Sequence, residues 1–173
     1  KVVIFGAMQG NYYGDNSAYL FEYLHKNCDL ENFNFVWITR SPAVLKYLRK
    51  RSLPVCSVYS IRGIFLLARA KVAVYTNSFN DFAFHPHSVP RNISIFSLSH
   101  GQSVKRVRFA RKLHKISESE KEMRDREKAM TFAVISTSPF VSTIQEECLE
   151  VGIEKHVVTG YPRNDLLFEP KIE

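Results

Sequence analysis

Three short stretches combine residue types that do chemistry with a spacing able to bring them together. The first is Ser97-Leu98-Ser99-His100-Gly101-Gln102-Ser103-Val104-Lys105. A histidine can take a proton from an attacking hydroxyl, a lysine can stabilise developing phosphate charge, and Gly101 leaves room for close backbone approach. That division of labour suits phosphoryl transfer. Spacing alone favours a structural loop histidine; chemistry and position together make His100 and Lys105 candidate catalytic residues. The second stretch is the glycine-spaced Gly6-Ala7-Met8-Gln9-Gly10-Asn11-Tyr12-Tyr13-Gly14-Asp15-Asn16-Ser17. Its backbone amides and a following helix N-terminus can hold a phosphate, which makes Gly10, Asp15 and Asn16 candidate substrate contacts. It is neither a GxGxxG fingerprint nor a P-loop, since no GK[ST] follows, and it equally suits a long βα loop with an Asp-Asn helix cap. The third is Gly160-Tyr161-Pro162-Arg163-Asn164-Asp165. Here a turn presents a cation, an amide and a carboxylate, so Arg163 and Asp165 are either ligand contacts or an ion pair that fixes the exit of the chain.

Each stretch needs an element to deliver it. Lys1 to Gly6 (KVVIFG) reads as a buried strand feeding the glycine-spaced loop, and Tyr19, Leu20, Tyr23 and Leu24 recur at helical spacing through about Cys28. Asp15 or Asn16 is the expected cap of that helix. Strands follow at 33–39, 55–59, 71–75, 93–98, 131–136 and 155–159, with helices at 41–51, 60–69, 117–130 and 138–150 and a polar and aromatic loop at 77–91. Strands alternating with helices imply a Rossmann-like α/β fold, a mostly parallel sheet covered by helices on both faces. In such a sheet ligands bind beyond the carboxyl ends of the strands, where all three stretches fall.

The chain has 173 residues, 45% hydrophobic and 13% aromatic, with seven Gly and seven Pro. This is the composition of one globular domain, not of a disordered or low-complexity chain. The longest apolar runs are far shorter than the ~20 residues a membrane-spanning helix needs. Net charge is +7, but residues 32–117 hold 15 basic residues and a single acid, Asp81, so that stretch carries +14 and the rest −7. Such a field attracts polyanions: anionic lipid surfaces, phosphate-rich polymers or nucleic acid. The basic run at 105–115 (KRVRFARKLHK) is framed by no RNA- or DNA-binding module, so nucleic acid is not the expected partner. Cys28, Cys56 and Cys148 read as buried thiols of a reducing compartment, and neither they nor the six His make a metal-binding pattern. No metal and no cofactor is expected.

Taken in order, YGDNSAYLFEYL (Tyr13 to Leu24), FVWITRSPAVLKYLRKRSLPV (Phe35 to Val55), the HGxxxK element from His100 to Lys105 and GYPRND (Gly160 to Asp165) resemble the CDP-glycerol glycerophosphotransferase family. That family polymerises bacterial teichoic acids and some capsule backbones. The resemblance implies the N-terminal, acceptor-side half of a GT-B-like enzyme with two Rossmann-like domains. Residues 1–165 would form that domain and 166–173 would begin a linker to a nucleotide-binding half, both ends of the sequence reading as cuts in a longer protein. It implies His100 as general base for an acceptor hydroxyl that attacks the β-phosphate of CDP-glycerol and releases CMP, with Lys105 and Arg163 helping with phosphate charge or domain contact; Gly101 stands as a candidate substrate contact. The implied partners are CDP-glycerol or a related CDP-polyol donor, bound mainly outside this chain, a polyol-phosphate polymer or lipid-linked acceptor, and an anionic membrane surface. The implied location is the inner face of a bacterial cell membrane, and the piece alone is expected to be inactive. The family usually has Trp before the histidine and a Thr-Pro-Leu-like segment between Gly and Lys. Here Ser99 and Gln102-Ser103-Val104 stand in those places. Two other readings fit the same sequence: a nucleotide-sugar glycosyltransferase domain, and a non-catalytic basic module that binds polyanions or membranes.

Overall fold

A computed structural model describes residues 1–28, 31–102 and 117–168. Within them seven strands form one sheet: β1 (Val2–Phe5), β2 (Asn34–Thr39), β3 (Val55–Ser57), β4 (Ala70–Tyr75), β5 (Ser94–Ser97), β6 (Thr131–Ser136) and β7 (His156–Val158). Their order is β3-β2-β1-β4-β5-β6-β7, and every neighbouring pair is parallel. The expected Rossmann-like sheet is therefore present. The order reverses direction between β1 and β4, the crevice at which such sheets bind ligands.

Among the described residues, five α-helices connect the strands: α1 (Asp15–Asn27), α2 (Pro42–Lys50), α3 (Ile61–Arg69), α4 (Glu118–Met130) and α5 (Pro139–Leu149). Alternation along the strands splits the core between the two faces. Val3, Phe5, Phe35, Trp37 and Val74 pack with Ala18 and Phe21 of α1 and Leu48 of α2. Ile4, Val36, Ile38, Ala73 and Ile95 pack with Leu66 and Leu67 of α3 and Met123 and Met130 of α4. This distribution follows from right-handed crossovers: the chain moves outward through β2 and β3, then turns back to β4, which puts α3 on the opposite face from α1 and α2.

Four of the helices begin where the sequence predicts, because a serine side chain takes a free N–H of the first turn. Ser41 accepts from Val44, Ser60 from Gly63, Ser117 from Glu120 and Ser138 from Val141. Helix α1 departs from expectation. Its N-cap is Gly14, with no side-chain cap, because Asn16 is spent elsewhere. The stretch 77–91 also differs from a plain surface loop. It forms 3-10 turns at Phe79–Asp81 and Pro86–Ser88, and it buries Phe79, Phe82, Ala83 and Val89 in the core. Cys56 and Cys148 are buried as expected, whereas Cys28 is only partly covered. A 3-10 helix runs over Pro162–Leu167.

Candidate functional site at the carboxyl edge of the sheet

The loop after β1 is fastened before it reaches α1. Gly6 passes so close to the backbone after β4 that a Cβ there would lie 2.1 Å from the Asp81 carbonyl oxygen, so only glycine fits. The Asp81 carboxylate, fully buried, accepts N–H bonds from Gln9 (2.7 Å), Thr76 (3.0 Å) and Asn77 (2.8 Å). Burial pushes this carboxyl up from its ordinary range while those backbone donors pull it back. On the other side, the Gly10 carbonyl accepts from Thr39 Oγ1 (2.8 Å) and from the Arg40 N–H (2.7 Å). Arg40 in turn donates through Nη2 to the carbonyls of Ala83 (2.5 Å) and Phe84 (2.9 Å). The result is a braced shelf over β1, β2 and β4.

The three stretches of chemical interest meet beside that shelf. After β7 the chain doubles back, and Arg163 Nη1 pairs with Asp15 Oδ1 at 2.8 Å while its backbone N–H reaches Asn16 Oδ1 at 3.4 Å. Asn16 Nδ2 donates to the carbonyls of Leu98 (3.0 Å) and Ser99 (2.6 Å), at the end of β5. One buried amide therefore joins the loops after β1, β5 and β7. The Arg163 guanidinium also stacks over the Tyr161 ring, 5.8 Å from its centroid, and a Cβ built on Gly101 would lie 3.5 Å from Arg163 Nη2. An open cleft of about 450 Å³ runs along this seam, lined by Met8, Tyr12, Asp15, Tyr19, Arg163 and Asn164.

Backbone strain collects along the same edge. Met8, Gln9, Asp15 and Ser99 have φ of +49°, +58°, +60° and +49°, a region that costs residues other than glycine about 1–3 kcal/mol each. Only a surrounding network of hydrogen bonds sustains such conformations.

The expected site residues separate into groups. His100 is exposed just beyond β5, and among the described residues nothing hydrogen-bonds or ion-pairs with its ring. Gly101 and Arg163 adjoin one another, and Asp15 holds Arg163. Asn16 and Gly10 are both buried, and the polar atoms just described are bonded within the protein. Asp165 is exposed, and its carboxylate makes none of the bonds that join the three loops. Lys105 and the basic run at 105–115 lie outside the described residues. Sequence reasoning noted Ser99 without giving it a role and overlooked Gln145: Gln145 Nε2, from α5, donates to Ser99 Oγ at 3.0 Å. Nothing in the pattern of α5 marks Gln145. Asp81 carried a signal, as the one acid in a strongly basic stretch, without being assigned a role.

Comparison with known proteins bears on the family and the fold. The chain is 22% identical over 171 residues to the teichoic acid glycerol-phosphate transferase of Staphylococcus aureus (strain NCTC 8325 / PS 47), covering 96% of this chain and 42% of that protein. The chain thus spans about two fifths of that relative's length. A solved structure of the wall teichoic acid polymerase TagF shares the fold with a TM-score of 0.77 at 20% identity, over 96% of this chain and 40% of that one. The UDP-GlcNAc 2-epimerase of Methanocaldococcus jannaschii shares it more distantly, with a TM-score of 0.54 at 12% identity over 92% of this chain and 45% of that one. The sequence pattern of the CDP-glycerol:poly(glycerophosphate) glycerophosphotransferases matches residues 1–173, the entire sequence, and the chain belongs to that family.

Proposed function

We propose that this chain is the acceptor side of an enzyme that transfers glycerol phosphate, or a related polyol phosphate, from a CDP-activated donor to the hydroxyl end of a teichoic-acid-type polymer. The observation that carries the reading is the convergence of the three loops on one edge, where His100, without a partner among the described residues, immediately precedes Gly101, and Gly101 adjoins an Arg163 guanidinium held in place by Asp15. His100 takes the proton of the acceptor hydroxyl as its oxygen bonds to the β-phosphorus. The bond from that phosphorus to the bridging oxygen breaks, and CMP leaves with the electron pair. Arg163, with Nη1 on Asp15 and Nη2 toward Gly101, offers charge to the phosphate in flight. Lys105 joins it on the strength of sequence alone. Donor recognition is assigned mainly to residues outside this chain, consistent with its matching 42% of the relative's length.

The same reading seats the enzyme on an anionic membrane surface, where a lipid-linked acceptor is held. Helix α3 supports it: Ile61, Ile64 and Phe65 are 88%, 60% and 57% exposed, on the helix that also carries Arg62 and Arg69. No helix among the described residues is long and apolar enough to cross a membrane. An apolar stripe edged by arginines suits a helix lying in the headgroup region, in a stretch whose single acid, Asp81, is buried.

In the full-length enzyme, His100→Ala is expected to reduce CMP release by about 10²–10⁴-fold while leaving CDP-glycerol affinity unchanged. Full activity in a folded variant would overturn the assignment.

A further inference from the structure

We infer that Ser99, seated by Gln145 and Asn16, is a positioning residue that aims His100; the inference rests on the reading of His100 as the general base. Ser99 immediately precedes His100 and has φ of +49°, a conformation that glycine adopts freely and serine only at a cost. Two buried amides offset that cost. Asn16, with no exposed surface, donates from Nδ2 to the Ser99 carbonyl at 2.6 Å. Gln145, 3% exposed, donates from Nε2 to Ser99 Oγ at 3.0 Å and to the Ile135 carbonyl at 3.2 Å. The second of these bonds fixes the orientation of the amide, because a backbone carbonyl accepts only from the NH₂ end. Ser99 Oγ is therefore an acceptor in this pair.

The anchoring continues on the far side of the histidine. Gln102 Nε2 donates to Thr137 Oγ1 at 2.9 Å, tying the loop to the segment between β6 and α5. The chain before and after His100 is thus tied to other elements, while among the described residues no group hydrogen-bonds to the imidazole. A general base must lie within hydrogen-bond reach of the proton it removes, so a turn of the backbone at Ser99 would carry the ring off target. Gln145 is buried, its Nε2 is shared between Ser99 Oγ and the Ile135 carbonyl, and its Oε1 finds no partner among the described residues. An apolar side chain of similar length would satisfy packing alone.

The test is a double-mutant cycle in the full-length enzyme, reading CMP release from CDP-glycerol. Ser99→Ala is expected to lower kcat about ten- to a hundredfold with the KM for CDP-glycerol unchanged. In a His100→Ala background the same substitution should cost nothing further, because a residue that acts through His100 has nothing left to aim. Gln145→Met removes the same bond from its other end and should reproduce both results, which keeps the inference testable if Ser99→Ala folds poorly. A full loss from Ser99→Ala or Gln145→Met in the His100→Ala background would overturn the inference, as would wild-type kcat in both single variants. If His100→Ala itself retains full activity, the base assignment fails instead, so the two failures are distinguishable.

Discussion

The two parts of the sheet's carboxyl edge use polar side chains in opposite ways. Over β1, β2 and β4, Asp81 is filled by three backbone N–H groups and Arg40 is spent on the carbonyls of Ala83 and Phe84. Charge there builds structure. Beyond β5, the same kind of anchoring stops one residue short: Ser99 is held from two sides, and His100 next to it is exposed with no partner among the described residues. Charge and titratable groups there remain available. A buried charge whose hydrogen bonds are all made inside the protein cannot serve a substrate, and an exposed group on a braced backbone can.

The largest effect that would sharpen this contrast is on stability. Asp81→Ala strands three backbone donors in the core and is expected to destabilise the fold by about 3–5 kcal/mol, measured by denaturant unfolding. A loss below 1 kcal/mol would mean that the shelf is not braced by this carboxylate. Arg163→Gln probes the other part. Its ion pair with Asp15 is partly exposed and contributes about 1 kcal/mol or less to folding, so the melting temperature should move little. Activity should instead fall about ten- to a hundredfold, with Arg163→Lys recovering part of it. If stability collapses and specific activity of the folded fraction does not change, Arg163 belongs with the braces. The smallest effect concerns α3. Ile64→Ser combined with Phe65→Ser should weaken binding of the full-length enzyme to phosphatidylglycerol-containing vesicles about tenfold, without changing its solution unfolding curve. Unchanged vesicle binding would detach this helix from the membrane.

The architecture was legible because it depends on local signals. Apolar runs such as Val2–Phe5 and Phe35–Ile38 marked buried strands, and Ser41-Pro42 and Ser138-Pro139 marked helix starts. His100, Gly101, Asp15 and Arg163 were legible as residues of interest from their places after strands. What they do to one another was not. Asn16 read as a helix cap, since an Asn before a helical pattern favours that role, but its amide reaches the carbonyls of residues 98 and 99, far away in sequence. The 77–91 stretch read as surface because it is rich in Asn, Ser, His and Pro, yet its Phe79 and Phe82 complete the core under α3. Gln145 was invisible, because a glutamine in the middle of a helix carries no sign of whether it faces water or another loop. Such pairings are decided by tertiary approach, which period and propensity do not encode.

The central claim is that His100 acts as a base rather than as a scaffold, and chemical rescue tests it most directly. With His100→Ala in the full-length enzyme, CMP release from CDP-glycerol in the presence of acceptor polymer should be nearly abolished, then rise with added imidazole. The rescue should track the fraction of imidazole in its neutral form. A folded His100→Ala enzyme that releases CMP at the wild-type rate without imidazole would contradict the account.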